Sequence, residues 1–339
     1  MPRLGFGIVG TGMIAGVVAN AIAAATNARL TAVSSRRIEN AQRFAADHRG
    51  VAAVQGIDAL LSRGDVDAVY IATPTVAKEE IARAAIAARK HILIDKPFAD
   101  HASVLRMTQA ASAKGVAFMD ATHFVHHPRT AAIREASAAK IGSPRSLHTT
   151  FYFPFTDRNN IRFDRTQEPM TALGDMAWYS MRAVVEYLRP TGRITKVVTA
   201  PERDPDTLAI IRASGLIAFE GALVSTFDVG YTANTLIMDL QLLGTAGVIG
   251  MDDFVLDWAN SFAFKNRRLK AGYVYRTGTA TRKDATFVPT PSKTAQEVAM
   301  IEDFAELAIS GNTAQQADYA NASLMTQEYL DALWVAAGS

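Results

Sequence analysis

The segment GIVGTGMIA, residues 7–15, joins an apolar strand pattern to the start of a helical pattern. Gly10 permits a tight turn after the strand, Gly12 lets the backbone approach a pyrophosphate, and the small Ala15 lets the helix pack against the strand. The first N–H groups of that helix favour anions. A glycine-rich turn without a ligand is the alternative, but the strand–turn–helix context favours a dinucleotide-binding site. The residues predicted to contact the dinucleotide here are Gly10, Thr11, Gly12, Met13 and Ile14.

Around this segment, short apolar runs alternate with helical segments across residues 1–122. The strand candidates are Leu4–Val9, Leu30–Ser34, Val66–Ala72, His91–Ile94 and Val116–Met119. The alternation is typical of a parallel sheet covered by helices on both faces. Val66–Ala72 is apolar on both faces, as expected of a central parallel strand. We therefore predict an N-terminal Rossmann domain over residues 1–122.

From residue 123 to residue 339 the pattern changes to strand candidates joined by short turns, such as Ser214-Gly215. Such runs predict a second, α+β domain with a large, mostly antiparallel open sheet. One helix is expected within this domain at about 174–187, and two helices, at about 295–309 and 317–336, finish the chain. The predicted fold class is α/β, with a dinucleotide-binding domain followed by a domain for substrate binding and oligomerisation.

The composition narrows the class of partner. Lys and Arg total 35 and Asp and Glu total 33, so the net charge is +2. This near-balance argues against nucleic acid or a membrane surface as the main partner and favours a small-molecule substrate. The absence of cysteine excludes disulfides, thiolate metal sites and a cysteine nucleophile. No apolar run is long enough to span a bilayer and no signal-peptide pattern precedes the first strand, so we expect a cytoplasmic protein.

The end of the second strand indicates which dinucleotide is preferred. An NAD-specific domain usually has Asp or Glu there, which binds the ribose 2′-hydroxyl. This chain has Ser34-Ser35-Arg36-Arg37 instead. Two guanidinium groups can bind a 2′-phosphate, although a solvated basic turn at a helix start is the alternative. The pattern favours NADP, with NAD still open, and adds Ser35, Arg36 and Arg37 to the cofactor-binding residues.

Two further segments end strands at the same edge of the predicted sheet. Ala72-Thr73-Pro74 and Asp95-Lys96-Pro97 follow neighbouring strands, and ligands of parallel sheets lie off the carboxyl ends of the strands. We therefore expect Ala72, Thr73, Pro74, Asp95 and Lys96 to contact the cofactor. A lysine at this place can stabilise charge on a substrate oxygen as a hydride arrives or leaves. A lysine that reaches solvent from a strand end is the alternative.

The order of six short patterns carries a resemblance to a known family. Gly-x-Gly-x-x-Ala is followed by VDAVYIATP (66–74), IDKP (94–97), HHP (126–128), NNIR (159–162) and GDMAWY (174–179). This series resembles the Gfo/Idh/MocA oxidoreductases, which include glucose–fructose oxidoreductase and inositol dehydrogenase, and it is similar to their dihydrodiol and xylose dehydrogenase branch. The resemblance covers nearly the whole chain. It implies a C-terminal sheet domain and a metal-independent enzyme.

The resemblance also implies catalytic residues. The family's lysine, in Glu-Lys-Pro, corresponds to Lys96, with Asp95 in place of the glutamate. The family's Asp-x-Gly-x-His or Asp-x-Gly-x-Tyr corresponds to Asp175 and Tyr179, with Ala177 in place of the glycine. Residues four apart share a helix face, so this pair can meet one substrate. The resemblance makes Tyr179 the proton donor or acceptor, Lys96 the group that stabilises its phenolate, and Asp175 a partner of the substrate hydroxyl or of Lys96.

Substrate contacts are implied for three more residues. Asn160 and Arg162 match a family segment near the nicotinamide and the substrate, a surface loop being the alternative. His127 matches the family's His-Pro and is expected to line the pocket, whereas His126 is expected to be structural. His123, His126 and His127 lie close in sequence, but no acidic residue stands nearby at ligand spacing. No metal site is predicted.

These expectations combine into an NADP-preferring oxidoreductase that moves a hydride between the nicotinamide and a secondary alcohol or ketone of a sugar-like or cyclic polyol substrate. Two alternatives are a nucleotide-binding regulator without turnover and a relative that uses a tightly held cofactor for a net non-redox reaction. Because the open sheet leaves one face exposed, we also expect a homodimer or homotetramer formed through it.

Overall fold

The computed structural model describes residues 3–257 and 269–338. The chain forms two compact units, the first comprising Met1–His123 and Glu297–Leu324 and the second Phe124–Gln296 and Met325–Ser339. The first crossing between the units lies next to the predicted boundary. The predicted second domain, 123–339, differs from this division because Glu297–Leu324 returns to the first unit.

Unit 1 is built on a six-stranded sheet in the order β3-β2-β1-β4-β5-β6. All neighbouring strands are parallel, and the strands are β1 (Leu4–Val9), β2 (Ala28–Ser35), β3 (Ala52–Gln55), β4 (Ala68–Ile71), β5 (His91–Ile94) and β6 (Phe118–Asp120). This is the strand order of a Rossmann fold, in which ligands bind beside the point where the order reverses, between β1 and β4. The sequence did not predict β3, because its half-buried AAVQ lacks a run of large apolar residues.

Helices cover this sheet, and one of them comes from near the end of the chain. Unit 1 contains α1 (Met13–Ala24), α2 (Ile38–Ala46), α3 (Ile57–Leu61), α4 (Thr75–Ala87), α5 (His101–Lys114), α8 (Gln296–Ser310) and the first part of α9 (Thr313–Ala336), whereas α6 (Pro128–Ala136) and α7 (Thr171–Ala183) belong to unit 2. In the core of unit 1, the Phe304 ring of α8 lies 5.7 Å from the Phe6 ring of β1, and both side chains are fully buried. This apolar contact explains why α8 belongs to the N-terminal unit.

Unit 2 contains an eight-stranded sheet in the order β14-β13-β12-β11-β7-β10-β9-β8. The strands are β7 (Pro144–Tyr152), β8 (Ile194–Arg203), β9 (Ile210–Phe219), β10 (Leu223–Gly230), β11 (Ile237–Gly244), β12 (Gly247–Met251), β13 (Gly272–Thr277) and β14 (Thr286–Pro289). Among these described strands, only β7 and β10 pair in parallel. The mostly antiparallel sheet confirms the predicted fold class. Helix α7 covers one face, where Thr149 Oγ1 of β7 donates to Ser180 Oγ at 2.9 Å.

The turn predicted at Ser214-Gly215 is wrong. Both residues lie inside β9, and a Cβ on Gly215 would stand 2.1 Å from the carbonyl oxygen of Val198 in the neighbouring strand. Glycine is needed there for close strand approach, and not for a change of direction. The chain reverses instead at Glu220–Ala222, where Gly221 has φ +79°.

The described residues lack membrane-spanning helices and clusters of metal-ligating side chains. None of their helices is long and apolar enough to cross a membrane. They also contain no group of three or more His, Cys, Asp or Glu side chains that could hold a metal ion.

Candidate functional site

The glycine turn after β1 ties three strands together. Gly10 has φ +112°, and a Cβ there would lie 2.5 Å from the carbonyl oxygen of Ala72. Its N–H donates to Ser34 O at 3.0 Å, while the N–H of Ala72 donates to Val9 O at 2.9 Å. Both the backbone conformation and the space therefore require glycine at residue 10. The turn lies at the carboxyl edge of β1, β2 and β4.

The start of α1 has the features of a phosphate-binding end. Gly12 is its N-cap residue, no side chain caps the helix, and no acid lies in the first turn. A Cβ on Gly12 would meet nothing within 4 Å. Thr11 and Ile14 are half-buried, and Met13 is 60% exposed. The open space beside uncapped N–H groups fits the pyrophosphate of a dinucleotide.

The basic pair after β2 is exposed. Arg36 and Arg37 follow the last strand residue, Ser35, and Arg37 is the N-cap of α2. Within the described ranges, neither guanidinium makes an ion pair. The carbonyl oxygen of Arg36 accepts a hydrogen bond from Gln55 Nε2 at 3.2 Å, which fixes the backbone. The Arg36 side chain is exposed to solvent. These cations therefore suit an anionic group bound at the carboxyl end of β2.

The ends of β4 and β5 bring the remaining predicted cofactor residues to the same edge of the sheet. Ala72, Thr73 and Pro74 follow β4 and are half-buried, as are Asp95 and Lys96 after β5. The N–H of Asp95 donates to Ile71 O at 3.0 Å, so the β5 end remains paired with β4.

The chain beyond Lys96 is anchored in the protein. The Lys96–Pro97 peptide bond is cis. Phe98 is 1% exposed, and its ring stacks on that of Phe118 at 6.0 Å between centroids. Lys78, a residue that the sequence analysis did not identify, lies in α4 and donates from its ammonium to Lys96 O and Pro97 O. Its partners are 18 and 19 residues away in sequence, so no local pattern signals the contact.

In unit 2, Asp175 of α7 forms an ion pair with Arg162. Arg162 Nε lies 2.6 Å from Asp175 Oδ2, and the two side chains are 27% and 14% exposed. Asn160 supports the arginine, since its Oδ1 accepts from the N–H of Arg162 at 3.1 Å and from its Nη1 at 3.4 Å. The structure therefore brings three of the predicted residues together in one polar group.

Aromatic side chains surround this group. The Arg162 guanidinium lies 4.3 Å from the centroid of the Phe155 ring, and Phe155 meets Tyr231 edge-on at 5.2 Å. The Tyr231 hydroxyl donates to Asp175 Oδ2 at 3.3 Å. Burial, and then the charge of Asp175, raise the pKa of Tyr231 well above its usual value, so this phenol remains a donor. Tyr231 lies 56 residues from Asp175 in sequence, so no local sequence pattern predicts their contact.

Tyr179 stands one turn beyond Asp175 on α7 and is 7% exposed. Its ring meets Phe151 of β7 edge-on at 5.3 Å and lies 6.3 Å from the ring of Phe124. The aromatic packing holds the ring and directs the phenol by restricting its rotamers. This surrounding fits both a core aromatic and an oriented proton donor.

His127 acts in the structure as a helix cap. Its Nδ1 accepts from the N–H of Arg129 at 3.0 Å at the start of α6, and it is 3% exposed. Burial, with the charge of Arg129 second, lowers the pKa of His127 to about 4. The side chain is therefore neutral at physiological pH. Its predicted contact with substrate remains a prediction.

Comparison with known proteins shows which family this chain is similar to. The model of the Gfo/Idh/MocA oxidoreductases, with an NAD-binding Rossmann fold, matches residues 4–122. A dTDP-3,4-didehydro-2,6-dideoxy-alpha-D-glucose 3-reductase of Streptomyces violaceoruber is 34% identical over 238 residues, which cover 68% of this chain and 67% of the reductase. The scyllo-inositol 2-dehydrogenase (NADP(+)) IolU of Bacillus subtilis (strain 168) is 33% identical over 154 residues, 45% of this chain and 46% of that enzyme.

A solved structure extends the likeness of fold to the whole chain. The crystal structure of KijD10, a 3-ketoreductase from Actinomadura kijaniata in complex with NADP and TDP-benzene, aligns with a TM-score of 0.86 at 23% identity, covering 98% of each chain. The sequence relatives and the family model indicate one family, and the Rossmann strand order and the glycine turn after β1 fit it. This chain belongs to the Gfo/Idh/MocA family of oxidoreductases.

Proposed function

We propose that this oxidoreductase uses NADP to interconvert a secondary alcohol and a ketone on a sugar or cyclic polyol. The observation that carries the cofactor choice is the exposed pair Arg36 and Arg37, which follows β2 where an NAD-specific domain has an acid. Guanidinium groups bind phosphate in bidentate geometry. Relatives whose names include NADP, among them the inositol dehydrogenase of Bacillus subtilis, support the same choice.

The substrate class rests on the polar group of unit 2 and on the relatives. Asp175, held by Arg162 and Tyr231, presents a carboxylate in an aromatic surrounding, which is suited to the hydroxyls and apolar faces of a sugar ring. The relatives named above act on a dTDP-linked deoxysugar and on an inositol. Both substrates carry a ring carbinol or ketone. We propose that this chain acts on the same functional group.

In the proposed reaction, the bound nicotinamide supplies or accepts the hydride. Tyr179 donates its phenolic proton to the ketone oxygen as reduction proceeds, and regains a proton from solvent afterwards. The Lys96 ammonium stabilises the negative charge that develops on that oxygen and on the phenolate. Asp175 accepts a hydrogen bond from a neighbouring hydroxyl and so orients the ring. In the oxidative direction the same groups act in reverse.

A substrate panel tests this function. NADPH consumption is followed by the absorbance of reduced nicotinamide with the dTDP-linked 3-keto sugar as substrate. NADPH formation is followed with scyllo-inositol and with D-xylose, which is included because another relative is a D-xylose 1-dehydrogenase (NADP(+)). Each reaction is repeated with NAD(H). The proposal predicts turnover of at least one compound, with higher kcat/KM for the NADP form. Tight NADPH binding without any change in absorbance on the whole panel would contradict it.

We also propose that a second copy of the chain covers the open face of the unit 2 sheet. One row of paired residues crosses all eight strands on the face opposite α7, namely Val198, Leu216, Thr226, His148, Gln241, Gly250, Val274 and Phe287. Val198 is 43% exposed and Phe287 49% exposed at its two ends. An extended face that mixes apolar and hydrogen-bonding groups is suited to a self-complementary interface.

A further inference from the structure

Lys78 is a buried cation at the edge of the sheet where the cofactor residues gather. It is 2% exposed and lies in the first turn of α4. Its ammonium donates to Pro97 O at 2.8 Å, to Lys96 O at 3.0 Å and to Thr75 Oγ1 at 3.4 Å. The contacts therefore join the start of α4 to the two residues that follow Asp95.

This position is unfavourable for a lysine on general grounds. The amino-terminal end of a helix carries partial positive charge, which repels a cation in the first turn. Burial of an ammonium is costly unless hydrogen bonds replace those to water. The carbonyl oxygens of Lys96 and Pro97 supply such hydrogen bonds. The buried ammonium is therefore stabilised by the same two carbonyl groups that it holds in place.

The two accepting carbonyls belong to Lys96, the residue that we assign to catalysis, and to Pro97, which follows it. We propose that Lys78 is a positioning residue, which sets the direction of the Lys96 side chain by fixing the backbone on its carboxyl side. The inference rests on the proposed role of Lys96. Two carbonyls held by one ammonium cannot rotate independently, and Phe98, packed on Phe118, closes the other end of the segment. The Cα–Cβ direction of Lys96 is thereby constrained.

Loss of this constraint should affect the chemical step more than cofactor binding. A displacement of about 1 Å at a reacting group can lower turnover on the order of 10²-fold. Lys78→Met retains the apolar stem and removes the donor. We expect kcat to fall at least about fivefold, while the dissociation constant for NADPH changes less than about twofold, because the glycine turn and the basic pair after β2 are untouched.

Lys90 offers a matched control in the same unit. Its ammonium also holds two backbone carbonyls, Val66 O at 2.7 Å and Arg63 O at 3.2 Å. These contacts lie before β4 and β5, at the opposite edge of the sheet from Lys96. Lys90→Met therefore removes the same kind of anchor, and we expect near-normal kcat from its folded fraction.

The decisive experiment is a double-mutant cycle of Lys78→Met and Lys96→Met, with kcat measured on the fastest substrate of the panel and NADPH binding measured by fluorescence. If Lys78 acts through Lys96, adding Lys78→Met to Lys96→Met should lower kcat less than about twofold, since the group being positioned is gone. An equal loss in both backgrounds would overturn the proposal and assign Lys78 to stability alone. A kcat for Lys78→Met equal to that of the wild-type protein would overturn it as well.

Two results separate this inference from the assignment on which it rests. Near-normal turnover in Lys96→Met would remove Lys96 from the mechanism, and the positioning role with it. Low turnover in Lys96→Met together with a harmless or additive Lys78→Met would refute only the positioning role. If Lys78→Met does not fold, the cycle is run with Lys78→Gln, which leaves no buried charge and keeps an N–H donor that cannot reach both carbonyls. The same non-additivity is then required.

Discussion

Gly10 and Asp175 show how much single residues determine locally in this protein. Gly10 combines a left-handed backbone with a distance of 2.5 Å between a hypothetical Cβ and the Ala72 carbonyl oxygen, so any side chain there disrupts the glycine turn. Asp175 accepts from both Arg162 and Tyr231 and is thereby held as an acceptor.

Arg36→Ala should change the choice of cofactor. Removal of a charge-assisted hydrogen bond to phosphate costs about 1.5–3 kcal/mol, which corresponds to roughly a ten- to hundredfold rise in the KM for NADP. The KM for NAD should hardly change. Arg43→Ala, which removes an exposed arginine of α2 that bonds Asn40, is the matched control and should affect neither cofactor. Equal losses with NADP and NAD in Arg36→Ala would refute the contact with the 2′-phosphate.

Tyr179→Phe should lower kcat by about 10²-fold or more, because it removes the proposed proton donor and leaves the ring packed on Phe151. Combination with Lys96→Met should cost little beyond the worse single variant, since both groups are proposed to act on the same step. Tyr187→Phe controls for loss of a phenol in the same unit, as its hydroxyl lies 3.2 Å from Thr130 Oγ1. Steady-state kinetics on the panel substrate measures all four. Unchanged kcat in Tyr179→Phe would make it a core aromatic.

His127 should make stability depend on pH. Its pKa is about 4 in the folded protein and near 6.5 when unfolded, so the unfolded state binds the extra proton between these values. The contribution is fully present above pH 6.5, falls as the pH drops toward 4 and amounts to roughly 3 kcal/mol. His127→Asn retains a helix cap without a titrating ring. Urea unfolding at pH 7 and pH 4.5 should show a smaller loss for the variant, and parallel losses would contradict the assignment.

At the scale of elements, close packing between strands places small residues where a sequence pattern indicates a turn. Gly215 lies in β9 between β8 and β10, and its hypothetical Cβ would stand 2.1 Å from Val198 O and 2.9 Å from Phe227 Cζ. Gly221, at the true turn, has φ +79° and open space around it. The two glycines thus serve opposite purposes, close approach in one case and backbone conformation in the other.

These purposes predict opposite tolerances. Gly215→Ala should lower the free energy of unfolding by about 1–3 kcal/mol, because the strands must move apart to accept a methyl group. Gly221→Asn should stay within about 0.5 kcal/mol, since asparagine tolerates positive φ and meets no neighbour. Thermal and urea unfolding of both variants measure the difference. A harmless Gly215→Ala would mean that β8 and β9 are not paired as described.

At the scale of the whole molecule, the two sheets differ in how their faces are covered. The unit 1 sheet has buried central strands, with β4 and β5 almost wholly enclosed. The unit 2 sheet has α7 on one face, while Val198 and Phe287 remain exposed on the other. This asymmetry is the physical basis for the proposed second copy.

The oligomer can be tested directly by light scattering. If the row from Val198 to Phe287 is an interface, the mass at micromolar concentration should exceed the 36.5 kDa of one chain. Leu216→Glu places a charge in the middle of that row and should shift the mass toward one chain. Ile309→Glu, at a residue of α8 that is 50% exposed, is the control and should leave the mass unchanged. A wild-type mass of 36.5 kDa would contradict the interface.

The sequence by itself determined those features that depend on local pattern. The glycine turn, the parallel sheet of unit 1, the basic pair after β2 and the helix that carries Asp175 and Tyr179 all follow from spacing within one or two elements. The family resemblance added the order of motifs along the chain. These features could be predicted because the residues that define each of them are neighbours in sequence.

Only the tertiary structure decided the features that join distant segments. The return of α8 to the first unit depends on Phe304 packing on Phe6. The partner of Asp175 at Tyr231 and the anchoring of Lys96 by Lys78 depend on hydrogen bonds between elements. The interior of β9, with its glycine, depends on how closely two strands approach. Such contacts are set by which surfaces the folded chain brings together, and no local periodicity contains that information.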